Sequence, residues 1–316
     1  MEKINRQGKS PVSYRCNEPM SVHTTFKLGG KADVWVRPQA DVFPDYCARL
    51  LRAAREEGIP VFILGAGANI VVSDNGIRGI VLDTGSYTGV GKREEINKAG
   101  DQRRSMFSVS ALSGTSIDGL CSHLADMGLS GLEFLSGMPG SVGGAVWMNA
   151  RCYEKSFSEV LVETEILNEN FQRETVPYKT GDFSYKRSPF QNRKVLILST
   201  RLSVRFRNSL DIRKENASYR QDRSDKGHYR FPSAGSAFKN NRDFGESTGR
   251  IIDKLGMKGL TMGGAQIAPW HGNIIINTGR ATAEDIKKLM DEVARRVRKD
   301  LGFELENEVL FVGEWS

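Results

Sequence analysis

A mixed α+β chain of more than one domain is the fold class this sequence predicts, and three observations predict it. The chain has 316 residues, a length that two or three domains fit better than one. Helical periodicity is confined to a few segments, whereas Val160 to Arg207 carries strand-like runs such as Val195-Leu196-Ile197-Leu198. The glycine-rich turn Gly65-Ala66-Gly67-Ala68-Asn69 opens into Ile70-Val71-Val72, a β-branched strand. A doubly wound dinucleotide fold would open into a helix at that point.

Along the chain, Tyr46, Leu50, Leu51 and Ala54 recur at helical spacing and predict a helix over Pro44 to Glu57, stopped by Gly58 and Pro60. Val61 to Leu64 is a short buried-strand signal. Ile70-Val71-Val72 and Ile77 to Leu82 flank Asn75-Gly76, a strong hairpin turn, and are expected to pair. Residues 84 to 108 are glycine-rich, then charged, and predict a hairpin or loop. Ser116 to Met127 predicts a helix with Ile117, Leu120, Cys121 and Leu124 on one face, ended by Gly128. The block Gly128 to Ala145 mixes small and apolar residues, as backbone packed against a flat body requires; a cofactor ring or a close interdomain contact would each satisfy it. Residues 209 to 230 alternate basic and polar side chains and predict a solvated helix at a domain boundary. Thr282 caps a helix whose apolar face is Ile286, Leu289, Met290, Val293 and Val297, and Gly302 ends it. Phe303 to Val312 predicts a terminal strand carrying Glu304, Glu306 and Glu308.

Composition excludes several classes. Apolar residues make up 39% and charged ones 26%, the balance of a globular chain with a sizeable core. Met1 to Pro19 is polar with no apolar run, so no secretory signal is read and the cytoplasm is the expected compartment. No run is long enough to span a membrane. The four cysteines, Cys16, Cys47, Cys121 and Cys152, lack ligand spacing, which predicts free thiols and no metal site. Forty-five basic against 38 acidic residues give a net charge of +7, pointing to anionic ligands without choosing among them.

Four segments could carry chemistry. In the loop Gly65 to Asn69, successive N–H groups can converge on an anion, or form a tight turn with no ligand. Phe231 to Asn240 places Ser233 and Ser236 between aromatics with Lys239 and Asn240 close behind; by itself this reads first as a structural turn, and it could also stand a hydroxyl beside a ligand near a cation. Tyr185-Lys186-Arg187-Ser188 puts two cations in one polar turn, fit for a carboxylate or phosphate. Glu308 precedes the apolar run Val309-Leu310-Phe311-Val312. The four histidines share no local spacing, and no Gly-x-Ser-x-Gly elbow occurs, so a hydrolase triad has no support.

Taken in order, these segments resemble the UDP-N-acetylenolpyruvoylglucosamine reductase family over about His23 to Glu314. His23-Thr24-Thr25-Phe26-Lys27-Leu28-Gly29-Gly30-Lys31-Ala32 resembles its opening. Leu64 to Asn69 and Ser136-Gly137-Met138-Pro139-Gly140-Ser141-Val142-Gly143-Gly144-Ala145 resemble its two FAD-binding stretches. Pro232 to Asn240 resembles its proton-donor loop, Gly263-Gly264-Ala265-Gln266 and His271-Gly272-Asn273 fill the expected interval, and Asn307 to Gly313 resembles its glutamate strand. The form resembled is the shorter one, without an inserted loop in the substrate domain.

The resemblance implies an FAD-binding fold of the vanillyl-alcohol-oxidase type in two α+β subdomains, residues 1–83 and 84–205, with an α/β substrate domain over 206–305. Residues 306–316 would return to the first subdomain. It implies FAD and NADPH as cofactors, a UDP-sugar substrate, no metal, no nucleic-acid partner, no membrane insertion and a monomer. Ser236 would donate a proton, Glu308 would orient and polarise the substrate carboxylate, and a cation would stabilise developing negative charge. Gly65, Ala66, Gly67, Ala68, Asn69, Ser136, Gly137, Pro139, Gly140, Ser141, Gly143, Gly144 and Arg223 would hold FAD; Lys239, Asn240 and Gln266 would hold substrate.

Departures from the family pattern fall at telling places. Lys186 stands where the family has arginine in Tyr-Arg-x-Ser, with Arg187 as the alternative cation; lysine keeps the charge and loses the bidentate fork. Ala68 replaces a serine, Arg151-Cys152 replaces Gly-Ala, Asn241 a proline and Ala268 a common serine. Two other readings make different demands. A flavin oxidase of the same fold acting on an alcohol or sugar would leave Ser236 and Glu308 idle. A basic flavin-free nucleic-acid or nucleotide-binding protein would purify colourless and bind oligonucleotides in a salt-dependent way.

Overall fold

The computed structural model describes residues 11–96 and 106–315, and their backbone divides into two units with separate cores. The first unit comprises residues up to Arg15, Trp35–Ala66 and Ile80–Arg220; the second comprises Cys16–Val34, Gly67–Gly79 and Gln221 onward. Part of the predicted hairpin or loop over 84–108 lies outside the described residues.

In the first unit the longest strand, Leu196–Phe206, is the axis of an antiparallel sheet. It pairs with Leu161–Leu167 on one side and with Met106–Leu112 on the other. Arg173–Pro177 and Glu94–Ile96 continue the sheet outward. Burial along the axial strand alternates from Leu198 to Val204, the period-two pattern of a sheet with one packed face. That face meets the helix Ile117–Asp126, whose Ile117, Leu120, Cys121 and Leu124 are buried as their spacing requires. Ser116 caps this helix, its hydroxyl accepting the Gly119 N–H at 3.0 Å. The helix Phe43–Glu56 buries Phe43, Cys47 and Ala54, with Leu50 and Leu51 packed against the same cluster. Cys47, absent from the predicted stripe, completes it; its burial pushes the thiol pKa up to about 12. All four cysteines are free.

The second unit contains the antiparallel sheet ordered Ser233–Ser236, Ile274–Asn277, Ala265–Ile267 and Thr261–Met262. The helix Ala283–Leu301 covers it with the five apolar residues read from the sequence, all buried. Its N-terminus carries the Thr282–Asp285 capping box and Gly302 ends it at φ +72°. A further cap arrives from far away in sequence. The Asp74 carboxylate accepts the N–H groups of Ala283 at 2.9 Å and Glu284 at 3.0 Å, placing negative charge where the helix dipole is positive.

Two expectations fail in an informative way. Ile70–Val72 and Ile77–Asp83 do not form a hairpin: the first pairs in parallel with Leu310–Val312, and the second in parallel with Val61–Leu64. The Asn75-Gly76 turn exists, with the Gly76 N–H donating to Ser73 O at 2.9 Å. However, a Cβ on Gly76 would lie 1.9 Å from the Lys31 carbonyl, so close backbone packing requires this glycine and the turn redirects the chain. The terminal strand is also shorter than expected, Leu310–Val312, because only those residues find a ladder partner in Ile70–Val72.

Asp74→Ala should lower stability by about 1 kcal/mol, the usual worth of a helix N-cap, read as a lower urea midpoint at unchanged slope. Burial, together with the positive Arg223 nearby, depresses the His228 pKa to about 4, and burial lowers that of His271. Both rings stay neutral in the folded chain while the unfolded chain protonates them below about pH 6.5. Their contribution is therefore complete above pH 6.5 and declines as pH falls below it, that of His228 being lost toward pH 4. Urea midpoints measured from pH 7 to pH 5 should fall, and fall less in His228→Asn.

Candidate active site

The segment Pro232 to Asn240 is held in the second unit by two different partners in succession. Ser233 stands opposite Ile276 and Ser236 opposite Ile274, so three steps on one strand match two on the other. That is a β-bulge, and Gly235 within it has φ +74° with no atom within 4 Å of where a Cβ would sit. Conformation, not crowding, requires glycine there. Ser236 emerges half-buried from the bulge, and its hydroxyl takes no hydrogen-bond partner among the described residues.

Beyond Ser236 the chain turns to the C-terminal segment. Phe238 lies opposite Asn307. The Lys239 N–H donates to Glu306 O and the Glu308 N–H to Ala237 O, both at 2.8 Å. Asn69 joins the same place: its side-chain amide donates to Glu308 O at 2.9 Å, and its own carbonyl accepts the Leu310 N–H at 3.0 Å. Three motifs separated by up to 239 residues thus converge on half-buried Glu308. Further along, the Lys239 ammonium pairs with the Glu306 carboxylate. Asn240 Oδ1 accepts the Thr248 N–H at 2.9 Å, and Gln266 Nε2 donates to Gly259 O at 3.2 Å and Thr261 Oγ1 at 3.1 Å. Arg223 is 8% exposed in the last turn of the helix Ser209–Asp225.

The first glycine-rich loop ends in the second unit, where Gly67 has φ +62° and a Cβ would lie 2.1 Å from His23 O. The Thr25 N–H donates to Gly67 O at 3.1 Å. The opening motif His23 to Ala32 therefore shapes this loop, and any side chain at Gly67 would drive them apart. Ala68 and Asn69 follow it, half-buried.

In the first unit a second set of glycines makes a cradle. A Cβ on Gly65 would meet Ser141 Oγ at 2.5 Å, and one on Gly143 would meet Ser113 Cβ at 2.9 Å. Ser141 caps the helix Val142–Met148, accepting the Gly144 N–H at 3.3 Å. Gly140, after exposed Pro139, has φ +152° and open space on its Cβ side. The N–H groups of Gly65, Ala66, Gly140 and Ser141 meet no acceptor among the described residues. Donors left over beside glycines suit an anionic cofactor, and the cradle fits the pyrophosphate of FAD. Ser136 and Gly137 are spent internally: the Ser136 hydroxyl donates to Asn216 Oδ1 at 2.8 Å, and the Gly137 N–H to Asp118 Oδ1 at 2.7 Å.

Lys186, also in the first unit, sits at the corner of a tight turn closed by reciprocal bonds between Ser184 and Arg187. Its φ is +56°, a conformation costly for a residue with a Cβ. Asn149 Nδ2 donates to Ser184 O at 2.8 Å, Gln191 Nε2 to Lys186 O at 3.1 Å, and Ser188 Oγ to Trp147 O at 2.6 Å. Lys186 is half-buried and its ammonium lies 3.4 Å from Arg151 O, whereas Arg187 is exposed. Sequence reasoning had no access to these supports: Asn149, Gln191 and Asn216 carry no local signal, because each reaches its partner across the fold. Among the described residues no His, Cys, Asp and Glu cluster is arranged to hold a metal, and no helix is long and apolar enough to cross a membrane.

Comparison with known proteins covers both halves of the chain. Residues 43–170 match the FAD binding domain family, and residues 227–312 match the C-terminal domain of UDP-N-acetylenolpyruvoylglucosamine reductase. The chain thus carries an FAD-binding domain. A UDP-N-acetylenolpyruvoylglucosamine reductase of Treponema denticola is 40% identical over 312 residues, 95% of this chain and 93% of that protein. One from Borrelia garinii is 38% identical over 314 residues, 99% of this chain and 95% of that protein. The crystal structure of the reductase from Thermus caldophilus superposes with a TM-score of 0.73 at 30% identity, covering 95% of this chain and 98% of that one. Similarity at this level along nearly the full length of both partners leaves one assignment: the chain belongs to the UDP-N-acetylenolpyruvoylglucosamine reductase family.

Proposed function

We propose that this protein reduces the enolpyruvyl group of UDP-N-acetylglucosamine enolpyruvate to the lactyl ether of UDP-N-acetylmuramate, with NADPH as the source of electrons. The observation that carries the reading is the ladder that ties Glu308 to the residue after Ser236, with the Glu308 N–H on Ala237 O at 2.8 Å. Bound FAD supplies hydride to the methylene carbon of the enolpyruvyl group. The double-bond electron pair then moves to the adjacent carbon and into the carboxylate, as in an enolate. In this reading Ser236 protonates that carbon. A hydroxyl is a weak acid, but an enolate is a strong enough base to take its proton, and the Ser236 hydroxyl meets no acceptor among the described residues. Glu308 orients and polarises the substrate carboxylate. Lys186 supplies the positive charge; its half-buried corner position favours it over exposed Arg187.

In this reading Gly65, Ala66, Gly140 and Ser141 present backbone donors to FAD, and Gly67, Gly143 and Gly144 keep the loops close enough to do so. Ala68, Asn69, Pro139 and Arg223 complete the flavin set, with Ser136 and Gly137 holding its loop from behind. Lys239, Asn240 and Gln266 serve the UDP-sugar. Residues 1–83 and 84–205 act as the flavin-binding subdomains, with 306–316 returning to the first, and 206–305 as the substrate domain. The enzyme works as a monomer in the cytoplasm, on small molecules without nucleic acid.

Substrate-dependent oxidation of NADPH by the yellow holoenzyme tests the activity; full FAD occupancy without such turnover would sink it. Ser236→Ala should leave flavin reduction by NADPH nearly intact and slow flavin reoxidation by substrate on the order of a hundredfold, the usual worth of a positioned proton donor. Equal loss in both half-reactions would make Ser236 a turn residue. Lys186→Ala should cost about tenfold or more in kcat/KM, as removal of a charge aimed at the developing anion does. Arg187→Ala should cost little, and equal mild losses would remove both from the role.

A further inference from the structure

The two residues that follow Ser236 are clamped from both sides, and one clamp is a side chain to which the sequence alone assigned no role. Asn273, 3% exposed, makes three bonds to the two residues after the serine. Its main-chain carbonyl accepts the Ala237 N–H at 2.8 Å, Oδ1 accepts the Phe238 N–H at 3.0 Å, and Nδ2 donates to Phe238 O at 2.8 Å. The backbone ladder between Ser233–Ser236 and Ile274–Asn277 ends at Ser236 opposite Ile274. One residue earlier on the second strand, the Asn273 amide takes over and imitates a further rung. On its other edge, Ala237 O accepts the N–H of Glu308. Asn273 is itself oriented, its N–H donating to His271 Nδ1 at 3.1 Å.

We propose that Asn273 is a positioning residue for Ser236, fixing the direction in which the bulge presents the hydroxyl and, through Ala237, the spacing to Glu308. The proposal rests on the reductase reading for its consequence. A primary amide offers a donor and an acceptor at this reach whatever the pH; ionised aspartate lacks the donor, and alanine leaves both Phe238 backbone groups buried and unpaired, with Phe238 itself 1% exposed. An orientation error at a proton donor affects the step that uses the proton and leaves the other half-reaction alone.

The test is stopped-flow spectroscopy of the holoenzyme. In Asn273→Ala, flavin reduction by NADPH should stay within about twofold, while reoxidation by UDP-N-acetylglucosamine enolpyruvate slows by ~10-fold or more, with half-saturation little changed. In a Ser236→Ala background, Asn273→Ala should add almost nothing, because the two act as one unit. Asn273→Asp keeps the shape and covers the case in which alanine fails to fold. Its reoxidation rate should recover as pH falls, since the protonated acid regains a donor for Phe238 O. The titratable and charged groups around it, His271, Glu308 and the Lys239–Glu306 pair, are present in every variant and are subtracted by the wild-type profile. Additive losses, equal losses in both half-reactions, or an aspartate variant without recovery at low pH would each overturn the proposal. If the wild-type holoenzyme itself shows no reoxidation by this substrate, the activity reading has failed. Amide exchange then decides the positioning role alone: Ala237 and Phe238 should exchange faster in Asn273→Asp, and unchanged protection would refute it.

Discussion

The carbonyl of Ala237 is the point on which the second unit's chemistry turns. It accepts the N–H of Glu308 at 2.8 Å, while the N–H of the same residue donates to Asn273 O at 2.8 Å. A residue tied on both edges cannot turn without breaking a buried hydrogen bond, and such a break costs more than the bond contributes when made. Ser236 lies immediately before that residue and Glu308 supplies one of the ties, so the two proposed site residues share one frame. Asn69 adds a second strap across Glu308 and joins the first glycine-rich loop to that frame. Asn69 and Glu308 lie 239 residues apart in sequence, yet one side-chain bond joins them within this unit.

Close backbone approach is the second constraint, and it explains which glycines are irreplaceable. Gly67 lies against the His23 carbonyl, Gly76 against Lys31 and Gly143 against Ser113. A methyl group at any of them would need the neighbouring backbone to move. Gly235 is different: there is room for a Cβ, and the left-handed φ is what excludes other residues. The same residue type therefore serves packing in one loop and chain direction in another.

Electrostatics follows the same division of labour. The excess of seven positive charges suits anionic ligands, and the FAD of the matched binding domain is one. Much of the basic surface is nevertheless neutralised locally, as where Arg193 meets Glu169 and Arg220 meets Asp118, and exposed pairs of that kind add little stability. Lys186, one of seven non-glycine residues with positive φ among those described, is held in a left-handed corner by Asn149 and Gln191. Strain retained at one residue and supported by several others is a common mark of a working site.

Much of the fold was legible in the residues themselves. The helix Ala283–Leu301, its Thr282 cap and its Gly302 stop follow from local hydrogen bonding and a 3.6-residue period, which depend on near neighbours alone. The order of motifs from His23 to Glu314 was enough to indicate the family and to nominate Ser236 and Glu308. Pairing was another matter. Asn75-Gly76 promised a hairpin, but Ile70–Val72 found a better partner in Leu310–Val312, and no local signal reports a strand more than 200 residues away. The reach of Asn273, Asn69 and Asp74 was equally invisible, because a short polar side chain looks alike in sequence whether it meets water or bridges two buried segments. The sequence by itself determined the elements, the caps and the chemical groups. Tertiary structure alone decided which strands pair and which side chains clamp them, since those choices minimise unpaired backbone polar groups over the whole chain.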